Sequence, residues 1–348
     1  MSLLALPVEL LNAVCQHLES DDLVVLSRTC ATLSPIAQRL LYRVLAISHA
    51  THNLDVVLTL AARPHLALFV REFSIVIEAK TVVFNSYYRA LAHALSRMTQ
   101  LTSLNIRLDT RVSWILGLTP PQRPRLRHFA SSFLLDSFVA TFLQQTPALE
   151  ELELDSSAPP SAHSDTLSLP SSSLPRLIHF VGPTQAAKVI VPGRPVQRIH
   201  VCDEGITEHE VACFAQSTAP IAVLDAMTTS LVVPLLQSLA HHLPYLSYLR
   251  VAAPSQSSDG GFAQSPLPDA TFYEQVSSAL TMLPELSEFE LSGTHWASLP
   301  VHEKGAHKGP GRMWQRPSFS PALPLVAPRD EYFEHFSDFG FNDFAFGF

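Results

Sequence analysis

The residues most able to do chemistry in this chain are four cysteines and 16 histidines. Cys202 and Cys213 lie close in sequence to His200 and His209, and thiolate with imidazole is the donor set of a structural zinc site. Such a site places its ligands in short Cys-x-x-Cys or His-x-x-x-His pairs. No such pair occurs, so core thiols and surface imidazoles account better for these residues. Cys15 and Cys30 likewise fall in apolar, periodic segments, the pattern of buried free thiols in a reducing compartment. The one adjacent histidine pair, His241-His242, ends a helical segment, where the helix dipole favours a cation. There is no Gly-x-Ser-x-Gly elbow, no phosphate loop and no His-Glu-x-x-His. No catalytic residue, metal ligand or cofactor is expected, and the chain reads as a non-enzyme.

The elements around those residues are built from an apolar-rich composition: 47% hydrophobic against 16% charged, in 348 residues. That length holds two or three domains, or one elongated repeat array. The 23 basic and 31 acidic residues leave a net charge of −8 with no basic run. Nucleic acid is therefore not the expected partner, because phosphate binding needs clustered positive charge. Residues 1–18 are apolar but lack a basic leader and carry Glu9, so they read as part of a domain and not as a signal peptide. No stretch approaches the ~18 uninterrupted apolar residues of a membrane span, and no membrane partner is expected.

Three short helices are predicted in the first 45 residues. Pro7 suits a helix start, and Val8, Leu10, Leu11, Val14 and Leu18 form a broad apolar stripe behind it. Ser20 is placed to cap a second helix, with Asp21 and Asp22 in its first turn; Leu23, Leu26, Cys30 and Leu33 share its apolar face. Ser34-Pro35 opens a third, carrying Ile36, Leu40 and Leu41. So small a unit buries little area alone, and a partner or an attached domain is expected.

Leu6-Pro7-Val8-Glu9-Leu10-Leu11, followed by Val14, Leu18, Asp22-Leu23, Leu26-Ser27-Arg28, Cys30 and Ile36, resembles the F-box motif over residues 3–45. Thr32-Leu33-Ser34 stands where that family often has a Trp. The resemblance implies a helical module that binds the adaptor subunit of a cullin–RING ubiquitin ligase by hydrophobic burial. Carried onto this chain, the adaptor contacts are Leu6, Pro7, Leu10, Leu23 and Leu26. It also implies residence in the cytoplasm or nucleus.

From residue 70 onward a phrase returns nine times. Its instances begin Val70-x-x-Phe73-x-Ile75, Leu101-x-x-Leu104-x-Ile106, Leu126-x-x-Phe129 and Leu149-x-x-Leu152-x-Leu154. They continue Leu177-x-x-Phe180, Val196-x-x-Ile199-x-Val201, Ile221-x-x-Leu224, Leu246-x-x-Leu249-x-Val251 and Leu286-x-x-Phe289-x-Leu291. Starts at 101, 126 and 149 are 25 and 23 residues apart, and those at 196, 221 and 246 are 25 apart. Prolines 124, 147, 175, 195, 220, 244 and 284 stand one or two residues ahead of a phrase, where a helix must stop and an extended residue begins. Helical spacing is predicted between them at 87–98, 135–145, 208–216, 231–242 and 272–282. Helix, proline turn and short strand at this period describe an α/β chain: a degenerate leucine-rich-repeat solenoid with a curved parallel sheet. The Asn that usually follows each such strand is missing.

The predicted organisation is therefore a helical module at 1–45, a repeat array at 46–299 with loops about 156–173 and 254–268, and a remainder at 300–348. That remainder reads as a Gly/Pro/basic linker over 302–328 and then an acidic, Phe-rich tail without a fixed fold. On the strands, residues alternating with the phrase face outward. Among these Arg198, His200, Tyr248 and Arg250 form a candidate basic–aromatic patch for an acidic or phosphorylated segment of a target protein. The expected function is substrate recognition in an SCF-type ligase, with the adaptor, and through it a cullin, as partners. The alternative is a leucine-rich scaffold without ligase assembly.

Overall fold

The computed structural model describes residues 6–78, 81, 83–118, 123–155, 169–228, 230–252, 270–301 and 311–315. The loop at 156–168, the loop at 254–268 and the Phe-rich tail lie outside the described residues. Helices α1 (Val8–Cys15), α2 (Ser20–Thr29) and α3 (Ser34–Leu41) occupy the positions expected of them. Their caps differ from expectation. Pro7 stands ahead of α1 with an extended ψ of 149°. Glu19 holds the cap position of α2, and Ser20 is its first helical residue without a side-chain cap bond. Asp21 and Asp22 keep their place in the first turn, where the helix dipole stabilises them. Leu11, Cys15, Leu23, Leu33, Ile36 and Ala37 close into a small core that is distinct from the main one.

The rest is a twelve-stranded sheet whose spatial order is the sequence order. Its strands are β1 (Val44–Ser48), β2 (Glu72–Val76), β3 (Ser103–Arg107), β4 (His128–Ser131), β5 (Glu151–Leu154) and β6 (His179–Gly182). There follow β7 (Arg198–Ile206), β8 (Val223–Thr228), β9 (Tyr248–Ala252), β10 (Glu288–Leu291), β11 (Thr294–Val301) and β12 (Gly311–Gln315). Pairing is parallel from β1 to β10 and antiparallel from β10 through β12. A parallel neighbour requires a crossover. Helices α4 (Asp55–Ala62), α5 (Pro64–Ala67), α6 (Asn85–Arg97), α7 (Ser137–Gln144), α8 (Thr184–Ile190), α9 (Glu208–Phe214), α10 (Val232–His242) and α11 (Ala270–Leu280) lie in those crossovers. A 3-10 segment, Thr110–Leu118, serves the same role after β3.

The nine phrases are β2 to β10, and their apolar residues make two rows on the helix-covered face. The first runs Leu45, Phe73, Leu104, Phe129, Leu152, Phe180, Ile199, Leu224, Leu249 and Phe289 in strict register. All but Leu45 are fully buried, each worth about 1.5–3 kcal/mol in surface removed from water. The second row holds Gly182 between Leu154 and Val201. A Cβ there would sit 2.9 Å from the Phe180 ring and 3.1 Å from the Leu154 carbonyl, so the ring takes the space a side chain would need.

β1, α4, α5, the 3-10 segment, α8 and β12 lie outside the predicted pattern. β1 and α8 carry no full phrase or clear helical spacing. β12 falls inside the stretch expected to be a linker, and β11 runs to Val301 where the array was expected to end at 299. The physical reason is two tryptophans. Trp296 and Trp314 are 5% and 2% exposed and join the main core, so this hairpin covers apolar surface at the end of the array.

Candidate functional site

Two surfaces stand out, one on the N-terminal helices and one on the open face of the sheet. On α1 the residues split between two faces. Leu11 and Cys15 point into the small core, while Leu10 and Val14 are 52% and 45% exposed. Leu10 and Val14 stand four residues apart on α1 and so share one helix face, with exposed Leu6, Pro7 and Val8 at its N-terminal end. Val25 on α2 is 60% exposed. Of the five residues expected at an adaptor contact, Leu6, Pro7 and Leu10 are exposed, Leu26 is half-buried, and Leu23 lies inside the unit's own core. Val8, Val14 and Val25 are exposed as well, outside the five expected contacts. The signal for Val14 was in the sequence, in its four-residue spacing from Leu10.

On the open face the parallel register lays outward side chains in rows. One row runs Ser103, His128, Glu151, His179, Arg198, Val223, Tyr248 and Glu288; the next runs Asn105, Ala130, Glu153, Val181, His200, Asp225, Arg250 and Glu290. The four candidate target contacts thus come together on β7 and β9, with Val223 and Asp225 of β8 between them. Asp225 changes their character. Its Oδ2 lies 2.7 Å from His200 Nδ1, close but not aligned as a hydrogen bond, and 3.5 Å from an Arg250 NH group. Arg250 Nε is 3.9 Å from Glu290. The Asp225 side chain is only 7% exposed, so these charges attract through partly excluded solvent. An incoming anion would compete with Asp225 and Glu290 for Arg250 and His200, whereas Arg198 is exposed.

A second network lies on β3 to β5. Arg107 reaches across β4, where Ala130 is small, to Glu153 at 2.5 Å and Asp155 at 2.8 Å. His128 Nδ1 meets Glu151 at 2.7 Å. That hydrogen bond raises the His128 pKa above its ordinary value and lowers that of Glu151. Burial pushes His179 down, with Arg198 and His200 adding to the effect. Burial is also the main cause that pushes Tyr248 up.

The thiol–imidazole set does not assemble a metal centre: among the described residues no group of three or more His, Cys, Asp or Glu is arranged to hold a metal ion. Cys202 is exposed, yet desolvation and the neighbouring Asp155 push its thiol up to about 11, the opposite of a reactive thiolate. Among the described residues no helix is long and apolar enough to cross a membrane.

Two buried arginines escaped the sequence reading. Arg194 is 1% exposed and donates to six backbone carbonyls, those of Leu169, Pro170, Ser173, Val189, Ile190 and Pro192. Arg123 donates to Leu95 and Met98 at the end of α6 and stacks 5.7 Å over Phe142; burial lowers its pKa to about 10. Each precedes a strand-entry proline, as Arg123-Pro124 and Arg194-Pro195. A guanidinium at a helix end satisfies carbonyls that have no intrahelical partner. Compared with known proteins, the chain matches no protein-family model and no curated sequence.

Proposed function

We propose that the chain is a substrate-recognition subunit of an SCF-type cullin–RING ubiquitin ligase. In this reading α1 to α3 are an F-box module that docks on the adaptor, and the parallel array is a leucine-rich-repeat solenoid that holds a target protein. One observation carries it: a helical unit with a closed core of its own leaves Leu10 and Val14 on one open helix face, with Leu6 exposed just ahead of it. Apolar stripes of that kind are the mark of a helix that packs against a partner. The resemblance of residues 3–45 to the F-box motif supplies the partner's identity. Target contacts are assigned to Arg198, His200, Tyr248 and Arg250, with Arg198 the first to test because it is exposed.

The test is co-expression of the full chain with the adaptor and cullin, followed by affinity purification. The wild-type chain is expected to retain both, and Leu10→Asp neither, since Leu10 is half-exposed and its replacement spares the small core. A wild-type chain that retains neither would overturn the proposal and favour a scaffold without ligase assembly. Retention by Leu10→Asp would show that α1 is not the docking face.

A further inference from the structure

β1 ends the sheet on its N-terminal side, and β2 is its one strand partner among the described residues. Arg71 and Glu72 donate their backbone N–H groups to the Arg43 carbonyl. Along a parallel ladder the backbone groups alternate sides. Those of Leu45 and Ile47 therefore face β2, and those of Val44, Ala46 and Ser48 face away from it. On that outer side the Asn53 carboxamide makes two bonds. Its Nδ2 donates to the Ala46 carbonyl at 2.8 Å, and its Oδ1 accepts from the Ser48 N–H at 3.0 Å. A residue of an adjoining parallel strand would donate to one carbonyl and accept from the N–H two positions on. The Asn53 side chain reproduces that pattern with a single amide.

The turn before α4 is shaped to deliver it. Thr51 Oγ1 lies 2.8 Å from Asn53 Oδ1 and 3.0 Å from Ser48 Oγ, and the Thr51 N–H donates to Ser48 Oγ. His52 adopts a left-handed φ of 52°, a conformation that carries strain in a non-glycine residue. The strand it covers, Val-Leu-Ala-Ile-Ser, has neither charge nor proline, the usual protections of an exposed edge. Val44 is 54% exposed and Ala46 is exposed as well.

We propose that the Asn53 side chain is a latch that closes the N-terminal edge of the sheet, and that opening it turns β1 into a self-association surface for β1 of a second copy. A two-fold axis pairs such an edge with itself in antiparallel fashion, presenting the same apolar residues from both chains. The inference rests on backbone pairing alone and holds whether or not the chain assembles a ligase.

The test compares the full-length wild type, Asn53→Ala, and Asn53→Ala combined with Ala46→Pro. Light scattering across a wide concentration range gives the mass, and amide hydrogen exchange follows Ser48. The wild type is expected to be monomeric with a protected Ser48 amide. Asn53→Ala is expected to double in mass with concentration and, while dilute, to exchange Ser48 at least about tenfold faster. Proline at position 46 removes an N–H that faces away from β2, so it spares the β1–β2 ladder and restores the monomer. Should Asn53→Ala fail to fold, Asn53→Asp keeps the acceptor and loses the donor, and it is expected to associate at high concentration. A folded Asn53→Ala or Asn53→Asp that stays monomeric throughout, or an unprotected wild-type Ser48 amide, would overturn the proposal.

Discussion

Replacing Arg194 by methionine tests the most concentrated polar contact in the fold. The substitution keeps an unbranched stem of similar length and removes every donor of the guanidinium. Six carbonyls lose a guanidinium donor at once, those of Leu169, Pro170 and Ser173 on one side and Val189, Ile190 and Pro192 on the other, and of these Pro170 keeps the Ser173 N–H. A hydrogen bond from a charged donor contributes about 1.5–3 kcal/mol net, and a buried acceptor left empty costs about 1–3 kcal/mol. Some carbonyls will find water or one another, and the variant no longer buries a charge, whose desolvation already lowers the Arg194 pKa. Taking two of the six bonds as irreplaceable leaves a loss of about 3–5 kcal/mol. That corresponds to a drop of roughly 5 °C in Tm for a chain of this size. Urea unfolding followed by tryptophan fluorescence suits the measurement, because Trp114 lies before this region and Trp296 and Trp314 after it. Arg194→Lys should fall between the two, since an ammonium has fewer donors and cannot fork. A methionine variant within about 1 kcal/mol of wild type would refute the reasoning, because it would mean the carbonyls are satisfied without the guanidinium.

Gly205→Ala should cost roughly 3 kcal/mol. Gly205 has a φ of +116°, and a Cβ there would meet the Met227 carbonyl and Thr228 Cα at 2.9 Å, all backbone atoms that cannot yield; chemical denaturation measures the loss. The His128–Glu151 pair should give a pH signature. His128 is raised above 6.5, so its contribution is complete below 6.5 and fades as pH rises through the raised value. Glu151 is lowered below 4.5, so its contribution is complete above 4.5 and fades as pH falls through the lowered value. The Tm difference between wild type and His128→Gln should therefore peak between 4.5 and 6.5. Both side chains are about a third or more exposed, which holds the effect below about 1 kcal/mol. A difference that is flat with pH would contradict the pairing. On the open face, Arg198→Glu should weaken capture of an acidic or phosphorylated target peptide at least about tenfold; fluorescence anisotropy reads this, and unchanged binding would remove Arg198 from the target surface.

The sequence carried the strand register well because it is set by a period-two alternation repeated nine times. Phe73, Phe129, Phe180 and Phe289 fall in one buried row as their place in the phrase requires. The same register also fixes the neighbours on the open face. His200, Asp225, Arg250 and Glu290 each follow the second apolar residue of their phrase, so they had to be cross-strand neighbours. A patch of His200 and Arg250 without Asp225 was therefore never available. Arg123 and Arg194 were harder to find, because their role depends on a helix end 25 to 28 residues away (Met98 and Leu95) or on a loop (Leu169 to Ser173). Their shared Arg-Pro context is visible only once its meaning is known. β12 was hidden by its surroundings: Gly, Pro and basic residues mask a strand anchored by the buried Trp314. Leu23 shows the limit of carrying residues over from a motif, because an apolar position marks burial without saying whether the chain or its partner provides it.

The proposed docking of α1 on the ligase adaptor depends on the exposed Leu10 side chain. Isothermal titration of the full chain with purified adaptor tests it most directly, comparing wild type with Leu10→Asp. Burial of one leucine contributes about 2 kcal/mol, and a carboxylate forced into the same groove adds a desolvation cost. The wild type is expected to bind saturably, and the variant with affinity weakened by at least about 100-fold. Equal affinities for the two chains, or no heat of binding with a folded wild type, would contradict it.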